Sequence, residues 1–150
     1  MKLLVTGASG YVGTEIIRQS LQLPQVTSVV AVARKPVSVP SGADPARLKS
    51  IVVKDYVDYP ASLTRRKGEV ENLVFGFEEK HPDLVEAGVA RPGLIINDST
   101  DVKEVMARLG KEVTTIKLES VAVALLQQAL HGTEKKTLWS DDLKRLAGSQ

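Results

Sequence analysis

Thr6-Gly7-Ala8-Ser9-Gly10-Tyr11-Val12-Gly13 is the stretch whose reading decides the fold. An apolar run, Lys2 to Thr6, precedes it and reads as a short buried strand. Behind it, Val12 to Leu23 reads as a helix, with Val12, Ile16, Ile17 and Leu21 on one face and Pro24 as its stop. A glycine pattern between strand and helix is informative because each glycine has a physical task. Gly7 permits the tight turn out of the strand, Gly10 lets backbone amides approach a phosphate, and Gly13 lets the helix lie close to the strand. The helix N-terminus then presents unpaired N–H groups and a positive dipole end to an anion. The alternative is a bare glycine turn with no ligand.

Working outward, Ser28 to Ala33 (SVVAVA) is a second apolar strand without polar alternation, as a parallel strand covered on both faces should be. Residues 36–46 contain three prolines and a glycine and read as a loop. Leu48 to Val53 is a third strand, and Tyr59-Pro60 breaks the chain again. A longer helix is expected over Ser62 to Lys80, striped by Leu63, Val70, Leu73, Val74 and Phe77. Leu84 to Ala90 is expected as a fourth strand, next to Leu3–Val5 and connected by a right-handed crossover. Val102 to Leu109 is a short helix with capping-box spacing from Asp101 to Glu104 and Gly110 at its end. Val113 to Leu118 reads as a fifth strand, Val121 to Leu130 as a very apolar helix, and Asp141 to Leu146 as a last helix with Ser140 as N-cap. The expectation is one α/β domain over residues 1–150: a reduced, Rossmann-like, doubly wound parallel sheet of four to five strands in the order 3-2-1-4.

Composition narrows the function classes. Hydrophobic residues form 43% of the 150-residue chain and the net charge is +2, too balanced for a nucleic-acid binder working by bulk electrostatics. Arg65-Arg66-Lys67 is the nearest approach to a basic run and reads as a solvated helix start. Cysteine is absent, no apolar stretch approaches the length of a membrane span, and no signal peptide fits before the first strand. A cytoplasmic protein without membrane or nucleic-acid partners is expected, acting on a small molecule. No His, Asp or Glu cluster has metal-ligand spacing.

The form TGASGYVG, with spacing G-x-x-G-x-x-G, resembles the extended and atypical short-chain dehydrogenase/reductases, and is especially similar to small fungal NAD(P)-binding, epimerase-like proteins. The resemblance covers residues 1–62 and 66–148 as two blocks, and between them a typical member carries further strands, a helix and a catalytic serine. It implies cofactor contacts from Gly7, Ser9, Gly10, Tyr11, Val12 and Gly13. Arg34-Lys35 at the end of the second strand suits the 2′-phosphate of NADP, where an acidic residue would suit NAD; two exposed loop cations are the alternative. Asp55 and Tyr56, ending the third strand, would meet the adenine, and Arg91-Pro92-Gly93 is similar to the family element near the nicotinamide, or is a plain strand-ending turn.

The family's redox pair, Tyr-x-x-x-Lys, is not matched. Lys67 stands where the lysine belongs, but Leu63 stands four residues earlier and Tyr59 eight residues earlier. A side chain without an ionisable group cannot protonate a carbonyl oxygen. The expectation is therefore a non-redox cyclase or isomerase on a small metabolite such as a polyketide, with Asp55, Arg91 and Asp98 as catalytic candidates. An NADP(H)-dependent reductase and a non-catalytic nucleotide-binding module are the alternatives. Asp98 and Asp101 also fit helix caps, and Tyr11 also fits a helix-face aromatic. His81 and His131 sit at helix ends, suiting dipole partners, and Trp139 is expected to pack under the last helix. A newly exposed sheet edge and the apolar helix 121–130 together suggest a homodimer.

Overall fold

The computed structural model describes residues 1–52, 67–83 and 86–148. They form an α/β protein with five α-helices and short parallel strands, divided into two compact units, Met1–Tyr56 and Val57–Gln150.

The first unit is a parallel three-stranded sheet: β1 (Lys2–Thr6), β2 (Ser28–Ala33) and β3 (Leu48–Val52), with β2 in the middle. Leu3 lies beside Val29, Val5 beside Ala31, and Ala31 beside Ser50. Helix α1 (Tyr11–Ser20) crosses between β1 and β2. Strands alternate their side chains, and Val5, Val29, Ala31 and Ala33 are buried together with Ile17 and Leu21, the apolar stripe of α1. Burying such side chains contributes about 1.5–3 kcal/mol for each large one. The opposite alternation leaves Leu4 64% exposed and Ile51 at the exposed edge strand. The C-terminal end of α1 is held by Arg47, which follows the prolines of the long loop. Its guanidinium donates to the carbonyl oxygens of Leu21 (2.8 Å), Leu23 (3.0 Å) and Val26.

In the second unit, β4 (Val89–Arg91) pairs in parallel with β7 (Thr137–Trp139), and β5 (Leu94–Ile96) with β6 (Thr115–Lys117). Helices α2 (Lys67–Lys80), α3 (Val102–Leu109), α4 (Leu118–His131) and α5 (Ser140–Gly148) complete it. The core lies between α4 and α5 and under the short strands, where Ile116, Val121, Ala122, Ala124, Leu126, Leu138 and Leu143 are buried. Part of α4 is thus packed inside this unit, through Leu118, Val121, Ala122, Ala124 and Leu126.

Several expectations change here. The 3-2-1 part of the strand order is present, but the fourth place is not shown: residues 89–91 pair with 137–139. A doubly wound Rossmann-like sheet is likewise not shown: the described strands form one three-stranded and two two-stranded parallel sheets. Residues 62–66 of the expected helix and 84–85 of the expected strand lie outside the described residues. Phe77, expected on the apolar stripe, is 53% exposed and meets the His81 ring at 4.6 Å between centroids. Trp139 is 56% exposed rather than packed under α5, because it ends an edge strand with the Arg91 guanidinium 5.1 Å above its ring.

Candidate functional site

The loop between β1 and α1 is built by its glycines. Gly7 takes a left-handed conformation at φ +64°, which turns the chain sharply out of β1. The Gly10 N–H then donates to the Gly7 carbonyl at 2.8 Å, and the Ala8 N–H donates to Val32 of the neighbouring strand at 3.2 Å. Ala8 is fully buried, so the loop is stapled to the sheet. Gly13 is the tightest point: a Cβ there would stand 2.6 Å from the Gly7 oxygen and 3.0 Å from the Ala8 Cα. At Gly10 the same oxygen would be 3.1 Å away. Helix α1 can therefore approach the loop this closely only because position 13 has no side chain, and position 10 leaves little room for one.

The N-terminus of α1 is capped by Gly10, with no side-chain hydrogen bond. Thr14 folds back within the helix, its hydroxyl donating to the Gly10 carbonyl at 2.8 Å. The first turn also carries no acidic residue. An anion at this end would meet backbone N–H groups and the positive end of the dipole, with no acidic side chain in the first turn to oppose it. Ser9, Tyr11 and Val12 surround that end, and Tyr11 is 48% exposed at the first helical position.

One turn further, Glu15 is nearly buried and locked by Arg18 through two bonds, 2.8 and 2.6 Å, and by Gln19 at 2.8 Å. The Arg18 hydrogen bonds hold its carboxyl below the ordinary glutamate value against the opposing effect of burial. This carboxylate braces α1 internally.

Arg34 and Lys35 follow β2 directly and are exposed, as a pair reaching for a ribose phosphate must be. Asp55 and Tyr56 lie outside the described residues. Glycine loop and Arg34-Lys35 belong to the same unit, on the carboxyl-terminal side of adjacent parallel strands.

The remaining catalytic candidates belong to the second unit. Arg91 ends β4 and lines an open cleft of about 1200 Å³ together with Trp139, Lys111 and Leu109. Asp98 does not line it. It is exposed in the turn before α3, where Asn97 makes the bonds: its side-chain oxygen accepts from the Ser99 and Thr100 hydroxyls, both at 2.8 Å. The cap of α3 is Asp101, which accepts from the Glu104 N–H at 3.0 Å, and Gly110 closes the helix at φ +64°. Arg91 and Asp98 are thus not gathered around one cleft. Among the described residues no group of His, Asp and Glu is placed to hold a metal ion, and no helix is long and apolar enough to cross a membrane.

Sequence reasoning missed the stacking of Arg91 on Trp139 and the place of Lys111 in the same cleft wall. The signal was slight: two three-residue strands bring these positions together, and such strands are too short to show a period.

Protein-family models and curated proteins give no match to this chain.

Proposed function

We propose that this chain is a nucleotide-binding protein of Rossmann type, related to the short-chain dehydrogenase/reductases and lacking their redox pair, whose β1–α1 loop takes the pyrophosphate of NADP(H). One observation carries the reading: Gly13 stands so close to the Gly7 carbonyl that any side chain would collide, and Gly10 leaves only a tight 3.1 Å for one, at a strand-to-helix turn whose helix end has no side-chain cap. A plain turn has no need of three such glycines; a phosphate cradle uses all of them. Arg34, exposed directly after β2, supports NADP over NAD. In this reading Arg34→Ala loses affinity for NADP by about 1–3 kcal/mol, the scale of a hydrogen bond to a charged group, and loses much less for NAD. Calorimetric titration with both nucleotides measures it; equal losses for the two would remove Arg34 from the 2′-phosphate site.

A second reading is favoured by the cleft beside Arg91. A cleft of about 1200 Å³ is large enough for a metabolite, and Arg91 in its wall could steady a developing enolate or carboxylate. The protein would then be a non-redox cyclase or isomerase acting on an oxygenated molecule such as a polyketide. Acid–base groups in such an enzyme contribute about 10²–10⁴-fold each. Incubating the protein with the candidate metabolite, with and without NADPH, separates the outcomes. Product without nucleotide supports the cyclase; product only as NADPH is consumed makes it a reductase; no product with tight nucleotide binding leaves the binding module. The proposal extends to a cytoplasmic homodimer meeting at β1, which ends its sheet among the described residues and has Leu4 exposed on one face.

A further inference from the structure

We infer that a groove at the C-terminal end of α4 binds a primary alkylammonium ion, with Glu86 as the counter-charge and the alkyl chain along Val89, Leu125 and Ala129. The groove shares only Ala90 with the cleft beside Arg91, and it is independent of any nucleotide at the glycine loop.

Charge is the first ground. The Glu86 carboxylate lies against the end of α4, where it accepts from the Thr133 N–H at 2.6 Å. Gly132 caps that helix at φ +92°, and a Cβ there would stand 3.5 Å from Oε2 of Glu86. The last carbonyl groups of a helix form the negative end of its dipole, which opposes a carboxylate placed there. The cations of the following segment are paired with other carboxylates: Lys135 with Asp142 at 2.5 Å, Lys136 with Glu78, and Arg145 with Glu134 at 2.6 Å. Lys136 shares a further hollow with Glu86, but its ammonium donates to Glu78. Among the described residues no Lys or Arg lines the two hollows that meet at the end of α4. A negative charge held at a negative helix pole is stabilised by a cation arriving from outside.

Shape is the second ground. The two hollows, about 330 and 470 Å³, share Glu86, Gln128, Gly132 and Thr133, and so meet at the carboxylate. The first continues along Val89, Ala90, Leu125, Ala129 and the buried Leu138, and its volume is at the small end for ligand sites. It suits an unbranched chain of a few carbons. The second is polar, lined by Gln127 and by the exposed His131 and Glu134, which keeps the charged end hydrated. A primary ammonium has three donors to share between a carboxylate, helix-end carbonyl groups and water. The walls are also held without ligand. The Glu134 N–H donates to Oε1 of Gln128 at 2.7 Å, and the Val89 N–H donates to the Lys136 carbonyl at 2.9 Å. A Cβ at Gly88 would stand 2.9 Å from Cγ2 of Thr133, so the segment entering β4 lies tight against the loop after α4.

The test is a calorimetric titration of the full chain with n-hexylammonium chloride, 1-hexanol and tetramethylammonium chloride. Saturable hexylammonium binding is expected, with a Kd that rises with salt. Hexanol should bind at least tenfold more weakly, and tetramethylammonium, which has no donor, should not saturate. From ethylammonium to hexylammonium, affinity should rise about two- to fourfold for each added methylene. Glu86→Gln keeps an acceptor for the Thr133 N–H, so the fold is retained; it should weaken hexylammonium at least tenfold and leave hexanol unchanged. Glu104→Gln, which removes a carboxylate from α3, should leave hexylammonium binding intact. The inference is overturned if hexanol binds as tightly as the ammonium, if hexylammonium does not saturate at millimolar concentration, if Glu86→Gln binds it like the parent, or if Glu104→Gln weakens it equally. Hexylammonium binding in a protein that takes no nucleotide would leave this site standing and remove only the reading of the glycine loop.

Discussion

Replacing Gly13 by alanine sets two effects of opposite sign against each other. Glycine inside a helix is less favourable than alanine by about 1 kcal/mol, so on propensity alone the change in α1 stabilises. The structure opposes this. The new Cβ would lie 2.6 Å from the Gly7 oxygen and 3.0 Å from the Ala8 Cα, and both are backbone atoms of a loop tied to β2. No side chain can swing aside, so the helix or the loop must move, at the cost typical of overpacking, about 1–3 kcal/mol. The upper part of that range applies because Ala8 is fully buried. The net expectation is a loss of about 1–2 kcal/mol. With a urea slope of about 1–3 kcal/mol per molar, the unfolding midpoint should fall by roughly 0.5–1 M. Gly76 supplies the internal comparison. It lies within α2, and a Cβ there meets nothing within 4 Å, so Gly76→Ala should raise stability by up to about 1 kcal/mol. Urea unfolding followed by helical circular dichroism reads both variants. If Gly13→Ala raised the midpoint as Gly76→Ala does, the close approach of α1 to the loop would be wrong, and with it the reason for glycine at position 13.

Arg47 serves three carbonyls at the end of α1, which one planar fork can do and a single ammonium cannot; Arg47→Lys should therefore cost about 1–2 kcal/mol in the same unfolding assay. Glu15 has its pKa lowered in the folded protein by the Arg18 hydrogen bonds, so its contribution is present above the ordinary glutamate value and is lost as pH falls through the folded value. Urea midpoints measured from neutral pH to pH 3 should thus fall more steeply for the parent than for Glu15→Gln, and parallel curves would contradict the coupling. Light scattering at micromolar concentration should give twice the 16.2 kDa chain mass if two copies meet at β1, and a mass of one chain would refute the dimer.

The first unit was legible because its signals are local. Strands β1 and β2 have the bounds their apolar runs predict, although β1, expected as buried, buries only Val5. The glycine loop is a pattern of neighbours, so its conformation follows from eight consecutive residues. The caps of α3 were equally readable, with Asp101 rather than Asp98 making the bond. The second unit was harder. Strands β4, β5, β6 and β7 are three residues each, shorter than any recognisable alternation, and Leu94–Ile96 and Thr137–Trp139 are not readable as strands at all. Val89–Arg91 finds its partner in Thr137–Trp139, a pairing across more than forty residues that no periodicity announces. For the same reason the cleft around Arg91 was not visible, whereas Trp139, read by its type as a core residue, stands exposed at a strand end.

The central claim is that the loop Gly7–Gly13 holds nucleotide phosphates. Calorimetric titration of the purified chain with NADPH and NADH, accompanied by thermal shift, tests it most directly. The account predicts saturable binding of both, tighter for NADPH, and its loss in Gly13→Val, whose side chain would displace α1 from the loop. No heat and no thermal shift with either nucleotide would contradict it.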